Sequence, residues 1–302
     1  MVHRFLERED SPKPTIVMDY YYGRKAGKSL VKDIVHIWEV ASLNSHIIRS
    51  ALSGCSLSHL PHHTTIMIML DLRKPAILWN YLEECLTILS NVLKESYPPD
   101  VMEKLKERKL NSLREQMKGK GSEMESVADL FPLRLCLIGG RYDNFRDFEG
   151  VDREFIGQIL RAVAHVLGAT LHYHSAKDSQ LLRKTKELLG LYGFKGEFTK
   201  TSMTDYNKPL YVAAGSDSLA AIDLEYRGAG SRLALSVIKE IYVARFPQSP
   251  KRQASFEDSS DDPNFDEPII DRLRLQREQE ISVSLRDMME GPATNIPIPE
   301  PF

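Results

Sequence analysis

Several groups of residues have the types and spacing that chemistry uses. One is Gly23-Arg-Lys-Ala-Gly27-Lys28-Ser29. A phosphate-binding loop needs G-x-x-x-x-G-K-[ST] ahead of a helix, so that backbone N–H groups wrap the phosphates. Here the spacing is one residue short, Tyr22 stands where the first glycine belongs, and 30–40 reads as a strand. The string fits a basic surface turn better than a phosphate cradle. A second group is Cys55-x₃-His59-x₂-His62-His63. Structural zinc wants four ligands in closed tetrahedral geometry. No second Cys or His pair lies nearby in sequence, and the Ser/Gly/Pro setting reads as a solvated loop. His172 and His174 alternate on a strand and so share a face, but no carboxylate beside them in sequence completes a ligand set.

Two further strings gain meaning together. Gly139-Gly140-Arg141-Tyr142-Asp143 ends one apolar strand, and Ser175-Ala176-Lys177 ends the next. Guanine-nucleotide folds carry N-K-x-D and S-A-K at these places, the Asp reading the base. Both strings fall at carboxyl ends of strands, where open α/β sheets bind ligands. In order and separated by one helix, they suggest a Ras-like G domain with Asp143, Ser175, Ala176 and Lys177 as vestigial guanine-site positions. Gly140 and Arg141 replace the usual Asn and Lys, which leaves Asp143 alone in its string.

The elements that must hold these strings are legible from periodicity. Strands are predicted at 16–22, 33–40, 64–72, 133–139 and 170–174, each rich in β-branched or aromatic residues. The third and fourth are nearly continuous apolar runs, as for strands covered on both faces. A helix over 76–96 puts Ile77, Leu78, Tyr81, Leu82, Cys85, Leu86, Leu89, Val92 and Leu93 on one stripe. Further helices are predicted at 100–118, 151–167 (with Gly168 as C-cap) and 179–191. Alternation of this kind implies a doubly wound, mostly parallel α/β sheet. After Phe246 the composition shifts. We expect a domain at 1–246, a disordered acidic linker at 247–267, a C-terminal helix at 268–290 and a proline-rich tail at 291–302.

Composition narrows the function classes. The chain has 302 residues, 42% hydrophobic and 27% charged, with 40 Lys+Arg against 42 Asp+Glu and a net charge of −2. That balance is globular and argues against a general nucleic-acid binder, which needs a basic face. Three scattered cysteines imply no disulfide framework and fit a reducing compartment. The N-terminus is charged where a secretory signal would be apolar, and no apolar run reaches ~18 residues. The expected setting is intracellular, with no membrane contact.

The sequence resembles the light intermediate chains of cytoplasmic dynein 2. The resemblance rests on long collinear blocks: Lys13 to Arg24 (KPTIVMDYYYGR), Lys32 to Glu39 (KDIVHIWE), Leu70-Asp-Leu-Arg-Lys-Pro75 with Trp79, Gly139 to Phe148 (GGRYDNFRDF), Arg161-Ala-Val-Ala-His165, and Asn207 to Gly215 with Asp217 and Ser218. It implies a P-loop NTPase-type Ras-like fold with a C-terminal helical extension. It also implies a non-catalytic motor subunit without cofactor or metal. That subunit would bind and stabilise the dynein 2 heavy chain and join other dynein 2 subunits for retrograde intraflagellar transport and cilium assembly. Its place would be cytoplasm, cytoskeleton and cilium, at axoneme and basal body, with microtubules reached only through the motor.

The departures from the family carry their own expectations. Family members that keep a phosphate loop carry it on a first strand upstream of the Lys13 block, and only 14 residues precede Thr15 here. First strand and loop are therefore expected to be missing, through truncation, or their place to be filled by another segment or a partner. Direct pairing of the third and fourth predicted strands would speak against a vacant central slot. The alternative function is a small-GTPase-like nucleotide-binding switch. A third reading, a basic-helix microtubule or nucleic-acid binder, rests on 104–120, where seven basic residues outnumber two acids; such runs are usually solvated helix faces.

Overall fold

The β-rich runs and helical stripes assemble into two separate sheets in the computed structural model, which describes residues 1–26, 32–41, 43–53, 61–116, 129–196, 201–224, 233–249 and 267–290. In chain order the elements are α1 (Val2–Phe5), β1 (Met18–Ala26), β2 (Lys32–Val40), α2 (Ser45–Ser53), β3 (Thr65–Asp71), α3 (Pro75–Ser96), α4 (Pro99–Gln116) and β4 (Arg134–Gly140). There follow α5 (Tyr142–Phe145), α6 (Gly150–Leu167), β5 (Thr170–Tyr173), α7 (Ser179–Phe194), β6 (Tyr211–Val212), α8 (Leu219–Ile222), α9 (Leu235–Arg245) and α10 (Pro268–Glu290). The chain divides into two compact units, Met1–Lys251 and Arg252–Phe302.

In the first unit, one sheet runs β3-β4-β5-β6, parallel except for its last pair, and the other is the antiparallel hairpin β1–β2. β3 and β4 pair directly from Thr65↔Arg134 to Asp71↔Gly140. A vacant slot between the third and fourth predicted strands is thereby corrected, because their backbone groups satisfy one another. The break lies one place earlier, since β2 and β3 belong to different sheets. The string from Gly23 runs through Ala26 as strand; 27–31 lies outside the described residues, as does the stretch 54–60 that holds Cys55 and His59.

Helices cover the parallel sheet on both faces. Ile68, Leu70, Leu135 and Leu137 share one core with Leu82 and Leu93 of α3 and Ile159 and Leu160 of α6. Cys136 and Ile138, which alternate with them on β4, pack with Leu188, Leu191 and Tyr192 of α7. Local chemistry sets the helix ends. Pro75 opens α3 at a position where its missing N–H costs nothing. Tyr97 then turns extended (φ −128°, ψ 137°), as a residue before proline must. Gly168 closes α6 at φ +61°, and a Cβ there would stand 2.7 Å from Leu130 and 2.8 Å from Leu113. The side chain of Asp178 accepts from the amides of Gln180 and Leu181 and caps α7.

On α3 the buried residues are Leu78, Trp79, Leu82, Cys85, Leu89, Val92 and Leu93, whereas Ile77 and Tyr81 are exposed. The stripe is therefore rotated toward Trp79, whose ring meets Tyr242 of α9 at 5.8 Å. Gln248, just past α9, accepts from the Trp79 and Asn80 amides and donates to the Pro75 carbonyl. The Ser249 amide donates to the Ala76 carbonyl. These residues open the segment expected as a linker; 250–266 lies outside the described residues, as does the tail 291–302. In the second unit, α10 stands where the spacing predicts a helix, with Ile270, Leu273, Ile281 and Leu285 exposed.

Candidate functional site

The carboxyl edge of the parallel sheet gathers the residues singled out from sequence. The His174 amide donates to the Gly139 carbonyl at 2.8 Å, and the Tyr142 amide donates to the His174 carbonyl at 3.1 Å. These bonds splice the end of β4 to the end of β5. Arg141 makes the turn into α5 with a left-handed backbone (φ 63°), and Asp143 is thereby aimed across at the loop after β5. Ser175, fully buried, donates its hydroxyl to Asp143 Oδ1 at 2.8 Å, and Lys177 Nζ lies 3.1 Å from Oδ2. The Lys177 amide donates to Ser175 Oγ at 3.1 Å. Ala176 is exposed between them. The four positions therefore do converge, and the chain fills both carboxylate oxygens itself.

The electrostatics follow from those contacts. The Ser175 hydroxyl first, and Lys177 after it, hold the Asp143 carboxyl below the usual range. Asp143 is thus a carboxylate with a cation already on it. A guanine edge bringing two N–H donors would have to compete with the Lys177 ammonium for Oδ2. Beside this pair, Arg73 grips Asp71 with Nε and Nη2 at 3.0 and 2.7 Å, at the end of β3. At this edge the Asp71–Arg73 and Asp143–Lys177 pairs are each locally matched.

His172 and His174 are not ligands in waiting. Nε2 of His172 and Nδ1 of His174 both lie 2.8 Å from Thr185 Oγ1, and that hydroxyl donates to the Leu181 carbonyl, also at 2.8 Å. With its one proton committed, the hydroxyl can only accept from both rings. That fixes the Nε2–H tautomer at His172 and the Nδ1–H tautomer at His174, and leaves His172 Nδ1 buried without a partner. Burial, reinforced by the facing His174, pushes His172 down to about 3, and burial brings His174 to about 4. Both rings are neutral. Among the described residues, no group of three or more His, Cys, Asp or Glu is placed to hold a metal ion.

No family model matches the chain. Curated relatives do match it. It is 32% identical to human cytoplasmic dynein 2 light intermediate chain 1 over 93% of its own length and 82% of that protein. The Bos taurus protein of the same name gives the same figures, and the Danio rerio one is 30% identical over 95% of this chain and 82% of that one. The chain belongs to the cytoplasmic dynein 2 light intermediate chains. Its fold is similar to the crystal structure of a dynein light intermediate chain's conserved domain, with a TM-score of 0.59 at 17% identity over 83% of this chain and 95% of that one. It is an α/β, Ras-like fold.

What the sequence missed in this light intermediate chain is the device that joins two of the matched blocks. Arg161, in the middle of α6, reaches Asp217 with Nε and Nη2 at 2.8 and 2.7 Å, both side chains almost fully buried. Two more of its N–H groups go to Tyr206 Oη at 2.5 Å and the Ala221 carbonyl at 3.2 Å. A buried ion pair holds when its geometry is good and further hydrogen bonds support it, and here a bidentate fork is backed by two more bonds. The pairing spans 56 residues. An arginine inside the otherwise apolar run 159–164 (ILRAVA) was the available signal that such a partner had to exist.

Proposed function

We propose that the chain is a non-catalytic subunit of the dynein 2 motor, which binds and stabilises the heavy chain for retrograde intraflagellar transport and cilium assembly. Residues 1–246 act as the docking domain, 247–267 as linker, and 268–290 as a second contact, with 291–302 as tail. Microtubules are reached through the motor, and the place of action is the cytoplasm, cytoskeleton and cilium. The observation that carries this reading is the likeness over nearly the whole chain to dynein 2 light intermediate chains. The site's chemistry supports it. The position that would read a base, Asp143, is already engaged within the chain by Ser175 and Lys177. Affinity capture of the tagged chain from ciliated cells tests the reading. Recovery of dynein 2 heavy chain in stoichiometric amount is expected, and its absence under conditions that preserve the motor refutes it.

The convergence of Asp143, Ser175 and Lys177 favours one second reading, a nucleotide-binding switch that keeps the base end of its site. Analysis of nucleotide released on denaturation separates the two: the motor-subunit reading expects none, and stoichiometric guanine nucleotide lost in Asp143→Ala would establish the switch.

A further inference from the structure

One face of the hairpin β1–β2 is only partly covered among the described residues: at one end Val40 packs against the main core and the Trp38 Nε1 is buried, whereas the stretch around Tyr20, Tyr22 and Ile34 stands open. Its register pairs Tyr20 with Trp38, Tyr22 with His36 and Arg24 with Ile34, so these side chains share one face. The opposite face carries Tyr21, Gly23, Val35 and Ile37, and it rests on the helices. A Cβ on Gly23 would come within 3.0 Å of Leu6 and 3.4 Å of Phe194, and one on Gly193 within 2.9 Å of Val35. The middle of the first face is more open. Tyr20, Tyr22 and Ile34 are 45%, 50% and 53% exposed.

That face is also stiff. Tyr20 lies 4.7 Å from Trp38 and 6.0 Å from His36 by ring centroids, and its hydroxyl is 2.7 Å from His36 Nδ1. The Arg24 guanidinium sits 5.1 Å over the Tyr22 ring and donates to its hydroxyl at 3.0 Å. Fixed aromatic and arginine side chains are what interface hot spots are made of, because little rotamer freedom is lost on binding. Charge is segregated as well. The hairpin acids Asp19, Asp33 and Glu39 all fall on the opposite face, which leaves two basic residues, Arg24 and the Ala26-paired Lys32, as the charged positions among the paired residues of the other face.

We propose that this aromatic, acid-free face is where the dynein 2 heavy chain docks, through a helix whose apolar stripe lies along the strands and whose flank is acidic. The proposal rests on the motor-subunit reading above. Two strands ~4.8 Å apart offer a strip matched to the width of one helix, and complementarity to Arg24 sets the sign of the flank.

The test is co-expression of the full chain with full-length heavy chain, followed by capture and a salt series. Tyr22→Ala with Ile34→Ala is expected to weaken capture about tenfold or more, as loss of central anchors does. Arg24→Glu is expected to weaken it severalfold, with an effect that shrinks as salt rises. Glu39→Gln, on the opposite face, is expected to leave it unchanged. If the unmodified chain does not capture the heavy chain, the motor-subunit reading falls and this proposal with it. If capture is normal in the unmodified chain and equally strong in Tyr22→Ala/Ile34→Ala and in Arg24→Glu, the surface alone is refuted. Arg24→Glu alters an exposed side chain, so its result stands even if the double variant folds poorly.

Discussion

The hairpin and the parallel sheet are made of similar residues and meet opposite fates. β4 (RLCLIGG) is buried from Leu135 to Gly140, with alternate residues packed on opposite layers of helix. β1 (MDYYYGRKA) is as rich in strand formers, yet Tyr20 and Tyr22 stand about half exposed. The cause is geometric: α7 and α1 support one face of the hairpin, whereas β4 has helices above and below. β3 lies between the two cases. Its run TIMIMLD reads as doubly covered, but at the border of the parallel sheet Met69 is 41% exposed while Ile68 and Leu70, on the other face, are buried. Apolar composition therefore marks a strand as able to be buried; position in the sheet decides whether it is.

Substitutions can sharpen or break this contrast. The largest effect is expected from Asp217→Ala, which leaves the Arg161 guanidinium buried without its carboxylate. Loss of about 3–5 kcal/mol in chemical denaturation is the expected outcome; a loss under ~1 kcal/mol would mean the pair is not buried in solution. Leu137→Ala, in the doubly covered strand, is expected to cost about 2–5 kcal/mol. Tyr22→Ala, its counterpart on the open hairpin face, is expected to change stability by no more than ~0.5 kcal/mol. Equal losses at the two positions would erase the distinction between the regions.

Acid should also act on the parallel sheet in particular. His172 and His174 titrate near 6.5 when unfolded and at about 3 and about 4 when folded. Between those limits the unfolded state binds more protons, so stability is complete above pH ~6.5 and falls as pH drops toward 4. Each ring contributes a slope of at most about 1.4 kcal/mol per pH unit. Urea midpoints measured from pH 7.5 down to 4.5 check this. A flat profile would show that the rings are not held neutral by burial. A small effect is likewise expected of Lys177→Ala on stability, within ~1 kcal/mol, since its ammonium is 75% exposed and such pairs are worth little.

Much of the site could be read before the fold was seen. Asp143 and Ser175–Lys177 were legible because each string ends an apolar strand, and parallel strands bring their carboxyl ends together. Their self-pairing was not, because it depends on the left-handed turn at Arg141 and on a loop that returns Lys177 to within 3.1 Å. His172 and His174 could be placed on one face by alternation alone. Thr185, one helix later, could not be paired with them from spacing. α2, α9 and β6 escaped notice: β6 has two residues and α2 nine, too short for either periodicity to declare itself.

By itself the sequence determined the element types, the parallel core and the family, since these depend on local periodicity and on collinear blocks. The tertiary structure decided the rest: the break between β2 and β3, the bond from Arg161 to Asp217, and which face of the hairpin stays open. The physical reason is that a strand's pattern encodes how many of its faces are apolar. Which neighbours arrive to cover them depends on contacts dozens of residues away.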